Sequence, residues 1–143
     1  DAVGTAAARL MQDYDATPYA GKSALLLARQ RFDAGDIAGA RTQLEWAMKN
    51  ATEAPVQHGA RLRLARLLFD QGEAPEALAL VSIQDADGFV SEYEEIRGDV
   101  LLAQGKAADA RAAYQAAYSK MQEDNPYRNI VELKLDALGG VTK

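Results

Sequence analysis

Three glycines at nearly regular intervals constrain this 143-residue chain more than any other feature of its sequence. Gly35, Gly72 and Gly105 are 37 and then 33 residues apart (72 − 35 and 105 − 72), and the residues around them recur in register. The recurrence is clearest when Leu25 to Leu44 is set over Leu62 to Val81. Intervals of about 34 residues are typical of helix–turn–helix repeats that stack on one another.

Each copy of the repeat has the composition of two helices joined by a tight turn. A glycine adopts the left-handed conformation that closes a helix at little steric cost. Small residues fall where two paired helices cross closely, and larger ones fill the layer between pairs. The small positions are Ala28, Ala65 and Gly98 on the first helices and Ala40, Ala77 and Ala110 on the second; the large ones are Leu27, Leu64, Leu44, Val81 and Tyr114.

These positions predict an all-α fold, a tetratricopeptide (TPR)-like α-solenoid of about three helix–turn–helix repeats with N- and C-terminal capping helices. The repeats cover approximately residues 21–54, 58–91 and 91–124, within a single domain over residues 1–143. The alternative is a helical bundle without repeats.

The two ends of the chain supply the capping helices that a repeat stack needs. The first is an alanine-rich helix from Thr5 to Tyr14, broken by Pro18. The second covers about residues 126–138, where Asn125 offers a capping side chain and Pro126 suits the first helical position. Its expected apolar face contains Ile130, Val131, Leu133, Leu135 and Leu138. With three helix pairs, the prediction is about eight helices.

Composition argues against several functional classes. The net charge of −5 disfavours a nucleic-acid surface. There is no cysteine and only one histidine, His58, so thiolate chemistry and histidine-pair metal sites are excluded. Two local motifs fail on spacing: Gly21-Lys22-Ser23 lacks the earlier glycine of a phosphate loop, and Asp85 to Gly88 lacks the later ligands of a calcium loop. We therefore predict no catalytic residues, no cofactor and no metal.

The residues that point to function lie on the first helix of each repeat, on the face that TPR stacks turn into a concave groove. Leu-x-x-x-Arg-x-x-Phe occurs in two successive first helices. Core packing does not require an arginine, whose planar head can bind a carboxylate or a carbonyl of a partner. The predicted partner-binding residues are Leu25, Arg29, Phe32, Leu62, Arg66 and Phe69, followed by an acidic end at Glu92, Glu95 and Asp99. The alternative is that Phe32 and Phe69 belong to the core.

Several segments resemble the periplasmic domain of the YfgM-like ancillary subunit of the bacterial Sec translocon. They are Thr17-Pro18-Tyr19-Ala20, the run from Ala24 to Gln30, Leu62 to Arg66, Ile96 to Gly105 with its Arg-Gly-Asp, and Leu133 to Leu138 with its Lys-Leu-Asp. The resemblance covers nearly the whole chain.

This resemblance implies a non-catalytic module on the periplasmic face of a bacterial inner membrane. It also implies two protein partners, the Sec translocon and a membrane-anchored periplasmic chaperone of the prolyl-isomerase type, and no nucleic acid. Because no purely apolar run is longer than Ala24 to Ala28, the membrane helix of such a protein is expected upstream of Asp1. The alternative is a soluble TPR scaffold of another envelope-assembly or cytoplasmic complex.

Overall fold

A computed structural model describes residues 4–5, 18–84, 86 and 88–139. Across these ranges, seven helices longer than two residues are present and no strand, which confirms the all-α prediction. The helices are α1 (Pro18–Asp33), α2 (Ile37–Asn50), α3 (Ala54–Asp70), α4 (Ala74–Val81), α5 (Val90–Ala103), α6 (Ala107–Lys120) and α7 (Arg128–Ala137). The predicted helix from Thr5 to Tyr14 lies outside the described residues except at Thr5.

The chain forms two compact units, residues 1–67 and residues 68–143, and the boundary lies within α3. The first unit contains α1, α2 and most of α3, and the second contains the end of α3 and α4 to α7.

The three turn glycines adopt the predicted left-handed conformation, with φ of +81° at Gly35, +83° at Gly72 and +79° at Gly105. Each turn carries the same pair of backbone hydrogen bonds. At the first, Gly35 N–H donates to Phe32 O (2.9 Å) and Asp36 N–H donates to Arg31 O (2.8 Å). This is the Schellman arrangement, which satisfies carbonyls at the helix end. The recurring glycines therefore mark the ends of α1, α3 and α5.

In the first unit, α1 packs against α2, and small residues form the centre of the contact. Ala24 of α1, Ala47 of α2 and Ala60 of α3 are fully buried together, and Leu25, Trp46 and Met48 pack around them. The approach at the start of α1 is also close, since a Cβ placed on Gly21 would lie 2.8 Å from the Cβ of Ala51. Small side chains therefore allow these helices to approach closely.

In the second unit, α5 and α6 form the main helix pair, and α7 packs on α6. The buried core comprises Leu101, Ala110, Ala113, Tyr114, Ala117, Val131 and Leu135. A Cβ on Gly98 would lie 2.6 Å from Cδ1 of Tyr114, so the ring occupies the space that a side chain would take. Position 114 corresponds in the repeat to Leu44 and Val81, which are also buried. The third repeat thus combines the smallest residue with the largest.

The C-terminal helix differs from its prediction in two respects. It begins at Arg128, two residues after Pro126, because the Asn125 side chain accepts a hydrogen bond from Tyr127 N–H (2.9 Å) and holds a turn there. The predicted apolar face is also wrong in part. Val131 and Leu135 are fully buried, whereas Ile130 and Leu133 are exposed, and 68% of the Leu133 surface is accessible. The apolar residues of α7 therefore divide between an inner and an outer face.

Candidate functional site

The first part of the predicted binding surface lies on α1. Leu25 is half-buried against the alanine cluster of the first unit. Phe32 is 48% exposed, so the alternative that it belongs to the core is wrong. The Arg29 side chain is 83% exposed, and its Nε lies 4.0 Å from Oδ2 of Asp33. An exposed ion pair of that length contributes little, so the guanidinium is available to a partner at small cost.

The second part lies on α3, where Leu62, Arg66 and Phe69 are each half-buried. Their spacing of four and then three residues puts them on one face of the helix. Each side chain therefore combines packing within the protein with some access to solvent. We call the five members in the first unit the basic–apolar surface: Leu25, Arg29, Phe32, Leu62 and Arg66. Phe69 belongs to the second unit.

The third part of the predicted binding surface lies on α5, where two of its carboxylates already bind a lysine of the same chain. Lys134 of α7 donates from Nζ to Oδ1 and Oδ2 of Asp99 (2.9 and 3.1 Å) and to Oε2 of Glu95 (3.1 Å). Asp99 Oδ1 also accepts a hydrogen bond of 2.5 Å from the Tyr114 hydroxyl. The side chains of Lys134, Glu95 and Asp99 are only 30%, 18% and 14% exposed. These carboxylates therefore attach α7 to α5.

Glu92, the third acidic residue of the predicted set, is exposed at the start of α5. Partial burial of its carboxylate raises its pKa above the ordinary 4.5, a hydrogen bond to its own backbone lowers the pKa, and the Glu95 carboxylate raises it. Glu92 is thus the one member of the acidic set that faces solvent.

Sequence reasoning missed Lys134 altogether. It lies 35 residues beyond Asp99 and 39 beyond Glu95. No periodic pattern connects residues so far apart. A single lysine close in sequence to the buried Val131 and Leu135 could nevertheless have indicated an internal ion pair. Sequence reasoning also missed two further exposed apolar residues of α1, Tyr19 and Leu26. Their spacing of seven residues puts them along one side of the helix.

The residues that the structure describes contain no group of three or more histidine, cysteine, aspartate or glutamate side chains placed to hold a metal ion. His58 is half-buried on α3. Asp85 and Asp87, from the discarded calcium-loop motif, lie outside the described residues. Among the described helices, none is both long enough and apolar enough to cross a bilayer.

Comparisons with known proteins agree with this architecture. Residues 1–140 match the tetratricopeptide repeat-like domain family. The chain is 32% identical over 130 residues to the ancillary SecYEG translocon subunit of Neisseria gonorrhoeae, a match that covers 91% of this chain and 62% of the relative. It is 28% identical over 98 residues to the protein of the same name from Escherichia coli K12, covering 68% of this chain and 48% of that relative.

The chain spans roughly half to three-fifths of the length of these curated relatives. The match to the repeat family covers nearly the whole chain, and the glycine turns and buried small positions agree with it. This chain belongs to the YfgM-like family of tetratricopeptide repeat-like proteins.

Proposed function

We propose that this chain is a non-catalytic protein-interaction module of a protein associated with the Sec translocon. Two relatives named as ancillary SecYEG translocon subunits support the association, and the repeat fold supports the role in protein binding. We further propose that the module lies on the periplasmic face of the inner membrane as part of a single-pass membrane protein. Its second partner would be a membrane-anchored periplasmic chaperone of the prolyl-isomerase type.

The observation that carries the docking proposal is the exposure of Phe32 beside Arg29 on α1. Aromatic and arginine side chains supply much of the binding energy at protein interfaces. Leu62 and Arg66 repeat the same residue types on α3, in the same compact unit. We propose that a partner helix or extended segment binds the basic–apolar surface, with Arg29 and Arg66 bound to its carboxylates or carbonyls.

Glu92, Glu95 and Asp99 form the acidic part of the proposed binding set. A partner engages Glu95 or Asp99 only in competition with Lys134, which already donates to both. Glu92 is exposed and is not one of the carboxylates that Lys134 binds. We therefore assign the larger share of partner affinity to the basic–apolar surface.

The test is co-purification of partners from detergent-solubilised membranes with the double variant Arg29→Glu/Arg66→Glu. Reversing both charges removes two attractive contacts and adds repulsion toward partner carboxylates. We expect recovery of the translocon subunits to fall at least about tenfold, which corresponds to roughly 1.4 kcal/mol.

Arg63→Glu is the matched control, because Arg63 is an exposed arginine on α3 outside the proposed set. Unchanged helicity and melting temperature must be established for each variant first. Wild-type recovery by the folded double variant contradicts the docking site. If the wild-type protein recovers neither translocon nor chaperone, the second proposal, a TPR scaffold of another envelope-assembly or cytoplasmic complex, takes its place.

A further inference from the structure

We infer that the outer face of α7 is a second interaction surface, and that it binds a basic amphipathic helix of another protein. The surface consists of Tyr127, Ile130 and Leu133, with Asp136 and Glu132 along the edge next to Leu133. It shares no residue with the basic–apolar surface and does not depend on the docking site proposed for α1 and α3.

The apolar part of this surface is unusual for a helix at the end of a fold. Tyr127, Ile130 and Leu133 are all exposed and follow one another at intervals of three residues. That spacing makes each residue a neighbour of the next on the helix surface, and Leu133 lies on the side opposite the buried Val131 and Leu135. Single exposed apolar residues need no explanation, but a contiguous row of three large ones is typical of a protein-binding site.

The cationic side chains on and beside α7 are engaged within the protein. Arg128 stacks over the ring of Tyr118, with Cζ 4.2 Å from the ring centroid. Lys134 is bound to Glu95 and Asp99. Arg111, from α6, donates to the carbonyl of Leu138 at the end of the helix. Within α7, Arg128, Glu132 and Lys134 are half-buried, and Asp136 is the exposed charged residue.

Two carboxylates accompany the row at helical spacing. Asp136 is exposed three residues after Leu133, and Glu132 is half-buried four residues before Asp136. Glu123 and Asp124 are exposed in the segment that leads into α7. An apolar row bordered by carboxylates is complementary to a helix with aliphatic residues on one side and lysine or arginine at its edge.

A second copy of this outer face fits poorly, because two copies of α7 would bring like charges together. The preferred occupant is therefore a different protein.

The probe is a synthetic helical peptide with leucine at positions i, i+3 and i+7 and two lysines four residues apart beside them. A matched peptide carries glutamate in place of both lysines. Binding of each to the whole chain is measured by fluorescence anisotropy at low salt, with analytical ultracentrifugation of the protein alone. We expect the lysine peptide to bind at least about fivefold more tightly than the glutamate peptide, and the order to reverse with Glu132→Lys/Asp136→Lys.

Leu133→Ser should weaken the lysine peptide roughly tenfold, since a buried leucine side chain is lost from the contact. Leu102→Ser is the matched control, because Leu102 is an exposed leucine of the same unit outside this surface. Three results overturn the inference: equal binding of the two peptides, no loss on Leu133→Ser, or no binding up to about 1 mM peptide. A wild-type dimer that Leu133→Ser converts to monomer also overturns it, because the occupant is then a second copy.

Discussion

The first helices of the first and third repeats, α1 and α5, occupy corresponding places in the repeat and differ in how their polar groups are used. On α1 the charged groups are exposed and loosely paired: Lys22 Nζ lies 3.7 Å from Glu53, and Arg29 Nε lies 4.0 Å from Asp33. On α5, Glu95 and Asp99 are half-buried and bound by Lys134. One repeat position is thus exposed at Arg29 in the first copy and held in an internal ion pair at Asp99 in the third.

The small position shows a second contrast between these helices. Ala28 on α1 and Gly98 on α5 are equivalent and both are buried. Gly98 lies against the ring of Tyr114, and the hydroxyl group of that tyrosine donates a hydrogen bond to Asp99. Packing and polar contacts are therefore coupled in the third repeat, and we expect substitutions there to have larger effects.

The largest effect is expected from Gly98→Ala. The new Cβ would overlap the Tyr114 ring, which is fully buried and hydrogen-bonded and so cannot move aside. Overpacking typically costs 1–3 kcal/mol, and we expect a net loss of about 2 kcal/mol in the free energy of unfolding by urea denaturation.

Gly59→Ala is the control for Gly98→Ala. A Cβ there meets only the flexible end of Arg63 at 3.3 Å, so helix propensity should stabilise the protein by up to about 1 kcal/mol. Equal effects of the two substitutions would mean that the ring yields and that the close approach is unimportant.

The second largest effect is expected from removing the lysine that binds the carboxylates of α5, compared with removing an exposed lysine of α1. Lys134→Met leaves Glu95 and Asp99 half-buried without their cation, and we expect a loss of about 1–2 kcal/mol, less than for a fully buried pair. Lys22→Met removes an exposed pair and should change stability by less than about 0.5 kcal/mol. Chemical denaturation of both variants at neutral pH measures the difference. Similar losses would show that the ion pairs of α1 and α5 contribute equally to stability.

The third prediction is that substitutions at the turn glycines after α1 and α5 cost nearly the same stability. Gly35→Ala and Gly105→Ala place a side chain at φ of +81° and +79°, with nothing within 4 Å of the new Cβ. The cost is therefore conformational rather than steric, about 1 kcal/mol in each case. Thermal denaturation of both variants checks this. A loss at one glycine only would show that the turns are not energetically equivalent.

The smallest effect concerns pH. Because the folded-state pKa of Glu92 is raised, ionisation of this carboxyl opposes folding. The native state retains that proton more strongly than the unfolded chain, so its contribution is present below the unfolded pKa near 4.5 and is lost as the pH rises through the folded pKa. The stability of Glu92→Gln relative to wild type should therefore increase between about pH 4 and pH 7, by less than about 0.5 kcal/mol because solvent screens this largely exposed carboxylate.

Asp33→Asn on α1 provides the comparison for the pH measurement, because Asp33 is an exposed carboxylate whose side chain is 67% accessible. A change with pH of the same size in both variants would show that Glu92 has no distinct environment.

The helical repeat could be predicted from the amino-acid sequence. Gly35, Gly72 and Gly105 end their helices as the spacing predicted, and the small residues of the repeat are buried where the pattern placed them. These features are local or periodic: a turn depends on one residue's backbone, and a packing position on its distance from that turn. Such information is present in any aligned set of repeats.

The charged and apolar residues that make internal contacts could not be identified before the helices were packed together. Lys134 neutralises Glu95 and Asp99, Tyr114 fills the space beside Gly98, and Phe32 remains exposed where core packing was an equal alternative. The apolar residues of α7 divide between a buried face and an exposed face, although the sequence pattern had predicted a single apolar face. Each outcome depends on a neighbour from another helix, and helix periodicity specifies which residues share a face but not what that face meets.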